Sequence, residues 1–211
     1  MTNLDAQIIE KAENIIRRYK TRSPYDIIKQ RDIDFDYTYR YPNLLGFYCV
    51  HVGQRFIRLN GKAKQMDMDE AAAHELSHDV FDYNDACSGI AFQDTFFFSH
   101  SNSMRERRAN LMSAEILIED DAVLDPIGYY RYVEFYEEVE KRYSNMSKSA
   151  IDYYASMEFG ERYGTDFLTM EQLAQTLGRN QDLVDYKIKA LLVKGYKLPV
   201  APELKSNYLK R

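Results

Sequence analysis

Residues 74–78, HELSH, constrain the fold most, because they place two histidines four positions apart with a glutamate after the first. The surrounding stretch MDMDEAAAHELSHDVF (66–81) has alanines, early acids and no helix breaker, and it predicts an α-helix. Four residues at about 100° each overshoot a full turn by only about 40°, so both imidazoles can reach one metal ion. Glu75 points about 100° away from His74, which leaves its carboxylate free to contact a water molecule on that ion.

The alternative explanation for this pattern is structural, with the two histidines packed in the core. In a chain of 211 residues with 4 histidines and 15 glutamates, chance produces about 0.005 such patterns. A structural role accounts for one buried histidine, but not for a pair with a glutamate between them. We therefore interpret residues 74–78 as a metal-binding motif on a helix.

A catalytic metal site needs a further protein ligand. Catalytic zinc normally has three protein ligands and an open fourth position. The candidates downstream are His100 and the acids of the next predicted helix, of which Glu106 is the first. Asn110 follows Glu106 by one helical turn, so its amide would lie on the same face and could orient a ligating histidine. The spacing alone leaves both His100 and Glu106 open as the third ligand.

The N-terminal part of the chain predicts two helices and a β-hairpin. Apolar residues at helical spacing predict an amphipathic helix over 4–20, and a Ser-Pro start signal predicts a short helix over 24–29. LLGFYCVHV (44–52) and RFIRLNG (55–61) are rich in aromatic and β-branched residues. These two runs predict a hairpin with its turn at residues 53–54.

The remainder of the chain is predicted to be mainly helical. In residues 84–104, polar residues alternate irregularly with aromatic ones, and this pattern predicts a loop or an irregular strand. Residues 105–124 resume helical spacing and predict one long helix, and a tyrosine-rich helix is expected over 126–143. Residues 167–199 predict two short helices joined at Gly178.

Composition limits the classes of partner and the compartment. The formal net charge of −5 does not favour nonspecific attraction to nucleic acid or to an anionic membrane. No apolar run is long enough to cross a bilayer, and the N-terminus carries acids where a secretory signal would be basic and then apolar. We expect a soluble, cytoplasmic protein without membrane partners.

Cys49 and Cys87 form no C-x-x-C pair and are expected to be buried free thiols.

Three segments taken together resemble a known family. HELSH, then ERRAN (106–110), then the small and apolar run LMSAEILI (111–118) resemble the ImmA/IrrE-type metallopeptidases, which are bacterial and phage zincins. The segments LNGKAKQMDMDEAAAHELSH (59–78) and LLGFY (44–48) are also similar to that family. The resemblance covers roughly residues 4–125, and its specificity lies in the combination, since unrelated zincins share the first motif.

The resemblance implies a zinc site and a role for each residue in it. His74, His78 and Glu106 would be the ligands of Zn²⁺, Glu75 would be the general base, and Asn110 would stabilise the site from a neighbouring position. The chain departs from the family at Ser77, where glycine is frequent, and at 116–119, where ILIE replaces LLMP. These departures bear on where the helices end, and neither is at a ligand position.

The implied fold class is α+β and zincin-like. We expect a small antiparallel sheet packed on an active-site helix and on a second, ligand-bearing helix, within a metallopeptidase domain of residues 1–125. A C-terminal helical module would span 126–211, with a helix-turn-helix-like segment at about 167–197. The hairpin strand 47–52, or its partner, could offer an open edge to an extended substrate.

The implied activity is that of a zinc-dependent endopeptidase that hydrolyses a specific protein. In the family, peptidases encoded beside regulators of phages and mobile elements cleave a helix-turn-helix repressor, so a transcriptional repressor is the expected class of protein substrate. A further donor to the transition state would be needed. We consider His100 first, with His51 and Tyr48 as alternatives, although each of them also has an ordinary structural explanation.

Two other functions compete with peptidase activity. One is a DNA-binding regulator, and the other is a protein-binding regulator with a zinc-stabilised, non-catalytic domain. The C-terminal segment 165–198 carries five basic and four acidic residues, and this balance supports phosphate binding only weakly. The tyrosine-rich helix is explained by core packing or by a partner surface. The arginines that flank Glu106 are explained by a solvated helix face or by an acidic partner.

Overall fold

The computed structural model describes residues 3–41, 43–88, 92–95, 104–163 and 168–199. The chain divides into a unit of residues 2–118 and a unit of residues 119–211. The division expected from the sequence lies a few residues later, after residue 125. The first unit contains the HELSH motif, and the second contains helices only among its described residues.

Two helices open the first unit, as the sequence predicted. Helix α1 (Asn3–Tyr19) buries an apolar stripe that includes Ile8, Ala12 and Ile15. Helix α2 (Pro24–Gln30) is capped at its N-terminus by Ser23, whose side chain accepts a hydrogen bond from the backbone N–H of Asp26. This contact satisfies one of the N–H groups that a helix N-terminus leaves open.

The sheet contains four strands in the described part of the chain: β1 (Asp34–Thr38), β2 (Leu44–His51), β3 (Gln54–Asn60) and β4 (Phe92–Thr95). Their order across the sheet is β1-β3-β2-β4. The predicted hairpin is present as β2 and β3, which are antiparallel. The expectation of a wholly antiparallel sheet was wrong, because β1 pairs with β3 in parallel. The chain skips one strand position after β1, and the hairpin then reverses direction, so β3 returns alongside β1 in the same direction.

The hairpin differs from its prediction in two details. Its turn residues are Val52 and Gly53, one position earlier than expected, and both have positive φ (49° and 77°) as a type I′ turn requires. Neither strand of the hairpin lies at an edge, since β3 lies between β1 and β2, and β2 pairs with β4 on its other side over Leu44–Tyr48. The suggested open edge along the hairpin is therefore closed there.

Helix α3 (Gln65–Phe81) is the central element of the first unit. It packs against β2 and β3 and also against α5 (Met104–Leu117), while α1 packs on α5. Ten consecutive residues of α3, from Glu70 to Asp79, are buried. The HELSH motif is consequently held on all sides by neighbouring elements. A short helix, α4 (Tyr83–Cys87), follows α3.

The single helix predicted over 105–124 is interrupted. Helix α5 ends at Leu117, and a separate helix, α6 (Asp120–Leu124), begins after Glu119, whose backbone is extended (φ −71°, ψ 150°). The break falls within the ILIE segment, which lacks the proline of the family pattern. The two aspartates in the first turn of α6 suit a new helix N-terminus, where negative charge is favourable.

The second unit contains α6 and four further helices among its described residues: α7 (Tyr129–Arg142), α8 (Lys148–Tyr163), α9 (Met170–Leu177) and α10 (Gln181–Val193). Helices α7 and α8 share an aromatic core that includes Tyr132, Phe135, Tyr136 and Phe159. Core packing within this unit thus explains the buried tyrosines of α7. Helices α9 and α10 join at Gly178, as predicted.

The environments of the two cysteines differ from the expectation. Both cysteines are free, but Cys49 is half-buried and Cys87 is exposed, so the expectation of buried thiols was wrong. The exposure of Cys87 follows from its place at the end of the short helix α4. Among the described helices, none combines the length and the apolar character that crossing a bilayer demands.

Candidate metal centre

Three side chains from two helices bring one donor atom each to a common point. His74 Nε2 lies 3.1 Å from His78 Nε2 and 3.1 Å from Glu106 Oε2, and His78 Nε2 lies 3.8 Å from the same carboxylate oxygen. Helix α3 supplies both histidines, and the first turn of α5 supplies Glu106. Both histidines are buried, and Glu106 is partly exposed.

The outer nitrogens of both imidazoles face hydrogen-bond acceptors. His74 Nδ1 lies 2.9 Å from Asn110 Oδ1, and His78 Nδ1 lies 2.8 Å from Asp82 Oδ2. A ring nitrogen that faces an acceptor carries the proton, so each neutral imidazole presents a lone pair at Nε2. Asn110 thus lies beside His74, in keeping with its spacing from Glu106.

This donor set fits a tetrahedral metal ion. Two imidazole lone pairs and a carboxylate oxygen meet at one point, where only an added proton or a cation can satisfy all three. Ligands at about 2.0–2.1 Å from a tetrahedral zinc ion lie roughly 3.3 Å from one another, close to the observed separations. Within the described part of the chain, these three residues are the group of potential metal ligands whose donor atoms converge in this way.

The electrostatics of the site favour a neutral His78 and an ionised Glu106. Burial lowers the pKa of His78 below its ordinary value, although Asp82 acts in the opposite direction, so the imidazole is neutral at pH 7. The hydrogen bond with His74 lowers the pKa of Glu106, against the opposing effect of burial, and its carboxyl group is ionised. A bound cation would take the place of the proton that makes this hydrogen bond.

Glu75 is fully buried on α3 beside the two histidines. Gly46 of β2 lies against it. A Cβ atom at Gly46 would be 3.3 Å from Glu75 Oε1, 3.2 Å from Glu75 Cγ and 2.9 Å from Leu59 Cδ2. The missing side chain therefore allows β2 to lie directly on the Glu75 carboxylate.

The arginines around Glu106 have partners inside the first unit. Arg105 pairs with Asp85 of α4, and Arg107 pairs with the buried Asp5 of α1 at 2.8 Å. Arg108 pairs with Asp82 at 2.6 Å. These pairs occupy all three arginines within the first unit, while the side chain of Arg105 stays 39% exposed, in keeping with a solvated helix face. The acidic partner stays a prediction. The guanidinium groups of the three arginines connect the first turn of α5 to α1, α4 and the end of α3.

The three candidate donors to the transition state differ in their surroundings. Tyr48 is buried, and its hydroxyl donates a hydrogen bond to Asp79 at 3.0 Å. Burial, with the charge of Asp79, raises the pKa of Tyr48 far above its ordinary value. His51 is exposed at the end of β2, and His100 lies outside the described residues. The role assigned to His100 stays a prediction.

Residues that the sequence did not single out complete the surroundings of the site. Asp82 contacts His78 directly, and it lies four positions after that histidine, so helical spacing could have identified it. Asp79 is fully buried and accepts hydrogen bonds from Arg31 and Tyr48, which attaches α3 to β2 and to the end of α2. The role of Gly46 has no local sequence signal, because it depends on what packs beneath the strand.

Two lysines at helix α10 pair with a carboxylate of the same unit. Lys187 is fully buried and pairs with Asp120 at 2.6 Å, and Lys194 pairs with the same carboxylate at 3.0 Å. Within α10, all of which is described, only Gln181 is exposed. A DNA-recognition helix needs an exposed face with cations directed outward. This arrangement gives little support to DNA binding by α10.

Comparison with known proteins adds one finding on the family. The model of the Peptidase M78 family, described as the IrrE N-terminal-like domain, matches residues 25–156. The matched range includes helices α3 and α5 and extends into α8. A search of curated proteins found no match to the chain.

Proposed function

Because the chain belongs to the Peptidase M78 family, with well over half of its length matched, we propose that it is a zinc-dependent endopeptidase that hydrolyses peptide bonds of a specific protein. The observation that carries the proposal is the convergence of His74 Nε2, His78 Nε2 and Glu106 Oε2, with both Nδ1 atoms facing acceptors. A zinc ion held by these three residues would keep a fourth position for water or substrate, as catalytic zinc sites do.

In the proposed mechanism, the metal ligands are His74, His78 and Glu106. Zinc bound there would supply Lewis acidity, which makes water a stronger acid and polarises the carbonyl of the substrate. Glu75 accepts the proton of the attacking water and returns it to the leaving nitrogen. Asn110 holds His74 in the tautomer whose Nε2 lone pair is available. The burial of Glu75 keeps bulk water away from the proton that it carries.

For the substrate, we propose a helix-turn-helix repressor of a phage or mobile element. The support is the family, whose members resemble this chain in the HELSH and ERRAN segments. We assign the second unit to holding that protein substrate rather than to DNA, because Lys187 and Lys194 are paired with Asp120 inside the unit.

Metal analysis is the first test. Elemental analysis should find about one zinc per chain in wild-type protein purified without chelators, and less in Glu106→Ala. Undiminished zinc in the variant would assign the third ligand to another residue, with His100 as the next candidate. No metal in either protein, even after zinc is added, would overturn the proposed function.

A second test separates a peptidase from a zinc-stabilised regulator without turnover. Glu75→Gln should keep its zinc and its fold but lose cleavage of a co-incubated repressor, because the amide cannot accept the proton. A purely regulatory protein should behave identically with and without this change. Cleavage that survives in Glu75→Gln would show that Glu75 is not the base.

A further inference from the structure

One buried carboxylate contacts both helices that supply the metal ligands. Asp82 lies at the end of α3, and its exposed fraction is 2%. Its Oδ2 faces His78 Nδ1 at 2.8 Å, and its Oδ1 accepts a hydrogen bond from Arg108 Nη2 at 2.6 Å. Arg108 belongs to α5, two positions after Glu106. Asp82 therefore connects one ligand of α3 to the helical turn that carries the third ligand.

The first turn of α5 depends on such a connection. The first turn of a helix lacks a full set of backbone hydrogen bonds and is the part most prone to fraying. Glu106 lies in that turn, so its carboxylate is only as well placed as the turn itself. The guanidinium of Arg108 also lies over the ring of Phe81, with its Cζ atom 5.5 Å from the ring centroid. Arg108 is thus fixed against the end of α3 by two contacts.

The two histidines have partners of different kinds. His74 faces the neutral amide of Asn110, whereas His78 faces a buried carboxylate. A carboxylate beside a ligating imidazole fixes its ring and tautomer and increases its basicity. An amide at position 82 could not replace the carboxylate, since it offers an oxygen to only one of its two donors. Its NH₂ group would meet either Arg108 or the imidazole, and in the second case Nε2 would become protonated.

We propose that Asp82 and Arg108 are positioning residues that act as one unit on metal affinity. Asp82 holds His78 with Nε2 open, and Arg108 holds both Asp82 and the turn that carries Glu106. The proposal rests on the proposed function, because it requires that His74, His78 and Glu106 bind zinc. A purely structural ion pair would change the stability of the metal-free protein without changing zinc affinity.

The test measures the zinc affinity of the full-length protein by competition with a chromophoric chelator. The proteins compared are wild type, Asp82→Asn, Arg108→Gln and the double variant. We expect Asp82→Asn to bind zinc about 10–100-fold more weakly and Arg108→Gln at least about threefold more weakly. Because the two residues act through one contact, the zinc affinity of the double variant should lie within about twofold of the zinc affinity of Asp82→Asn.

Two further variants serve as controls. Asp34→Asn removes the partner of Arg58 in the sheet, where both side chains are partly exposed, and it should leave zinc affinity within about twofold of wild type. Arg108→Lys keeps a cation for Asp82 and should recover most of the affinity. Circular dichroism of the metal-free proteins identifies any variant that fails to fold. Arg108→Gln tests the same contact from the more exposed side if Asp82→Asn fails to fold.

Unchanged zinc affinity in folded Asp82→Asn or Arg108→Gln would overturn the proposed pair while leaving the metal site intact. Losses that add in full in the double variant would also overturn it, since they would show two independent effects. A wild-type protein that binds no zinc would overturn the proposed function as well. The failure of the pair is therefore distinguishable from the failure of the site.

Discussion

At the scale of single residues, Val52 is the position where the backbone and the side chain conflict. Its φ is 49°, a region that β-branched residues rarely adopt, and its side chain is 91% exposed. We expect Val52→Asn to raise the free energy of unfolding by about 1 kcal/mol, because Asn tolerates this backbone region and Asn-Gly suits a type I′ turn. Denaturant unfolding at constant pH measures the change. Val52→Ala should raise the free energy of unfolding by less. A loss of stability in Val52→Asn would show that the positive φ of Val52 is not a source of strain.

Gly46 is the residue through which the sheet contacts the proposed base. We expect Gly46→Ala to keep its zinc but to cleave substrate roughly 100-fold more slowly, because the added Cβ displaces the Glu75 carboxylate. Metal analysis and cleavage of a repressor that the wild type cuts provide the two measurements. Unchanged cleavage would show that the Glu75 side chain tolerates the added methyl group.

A companion variant tests whether Glu75 or Leu59 causes the slower cleavage expected of Gly46→Ala. The new Cβ would also meet Leu59 Cδ2 at 2.9 Å, and Leu59→Val removes that atom. The double variant should therefore relieve the contact with Leu59 and still cleave slowly. Full recovery of cleavage would attribute the effect to Leu59 and to general packing of the sheet.

The residues around the site differ in how far the sequence identifies them. Helical spacing identified His74 and His78 as a pair of ligands, because helix geometry is local in the chain, and the resemblance to the family selected Glu106 over His100. Asp82 has the same helical spacing from His78 but was not singled out. The contact of Gly46 with Glu75 could not be predicted, because it depends on which strand packs over α3 and in which register.

At the scale of elements, local pattern identified most helices but not the order of the strands. The cap at Ser23 and the apolar stripe of α1 predicted those helices within about one residue of each end. Strand β1 lacked a comparable signal, because it is short and mostly exposed, and its pairing with β3 is a long-range contact. The break between α5 and α6 lies at the extended backbone of Glu119, in a segment where the helical spacing of apolar residues continues.

An ion-pair cluster in the second unit connects helix α6 to helix α10. Asp120 accepts hydrogen bonds from Lys187 and Lys194, and Lys187 is fully buried. We expect Asp120→Asn to destabilise the protein by about 3 kcal/mol at pH 7, because it leaves the ammonium of Lys187 buried without its carboxylate. Thermal or denaturant unfolding measures the loss. Adding Lys187→Met should restore part of the stability, and no recovery would mean that the pair is not the cause.

The same cluster makes stability depend on pH in one direction. Burial favours the neutral form of Asp120, but Lys187 and Lys194 outweigh it and lower its pKa. Because the pKa is lower in the folded state, the stabilisation is present above the unfolded value of about 3.9 and is lost as pH falls through the folded value. The difference between wild type and Asp120→Asn should therefore be constant near pH 7 and shrink in acid. A difference that grows below pH 4 would contradict this assignment.

At the scale of the whole molecule, the two units are assigned different tasks. All residues proposed to bind or position zinc lie in residues 2–118, whereas α7 and α8 have an aromatic core of their own. A ligand that binds only the folded state adds stability of about 2.7 kcal/mol at one hundred times its dissociation constant. Zinc binding therefore raises the free energy of unfolding only for those elements whose unfolding destroys the metal site.

Hydrogen exchange can locate this stabilisation along the chain. We expect added zinc to slow amide exchange in α3 and α5 and to leave α7 and α8 unchanged, because the proposed ligands lie on the first two helices. Glu106→Ala should show a much smaller effect at the same zinc concentration. Equal protection of both units would instead show that they unfold together, and the second unit would then be a structural part of the metal-binding domain.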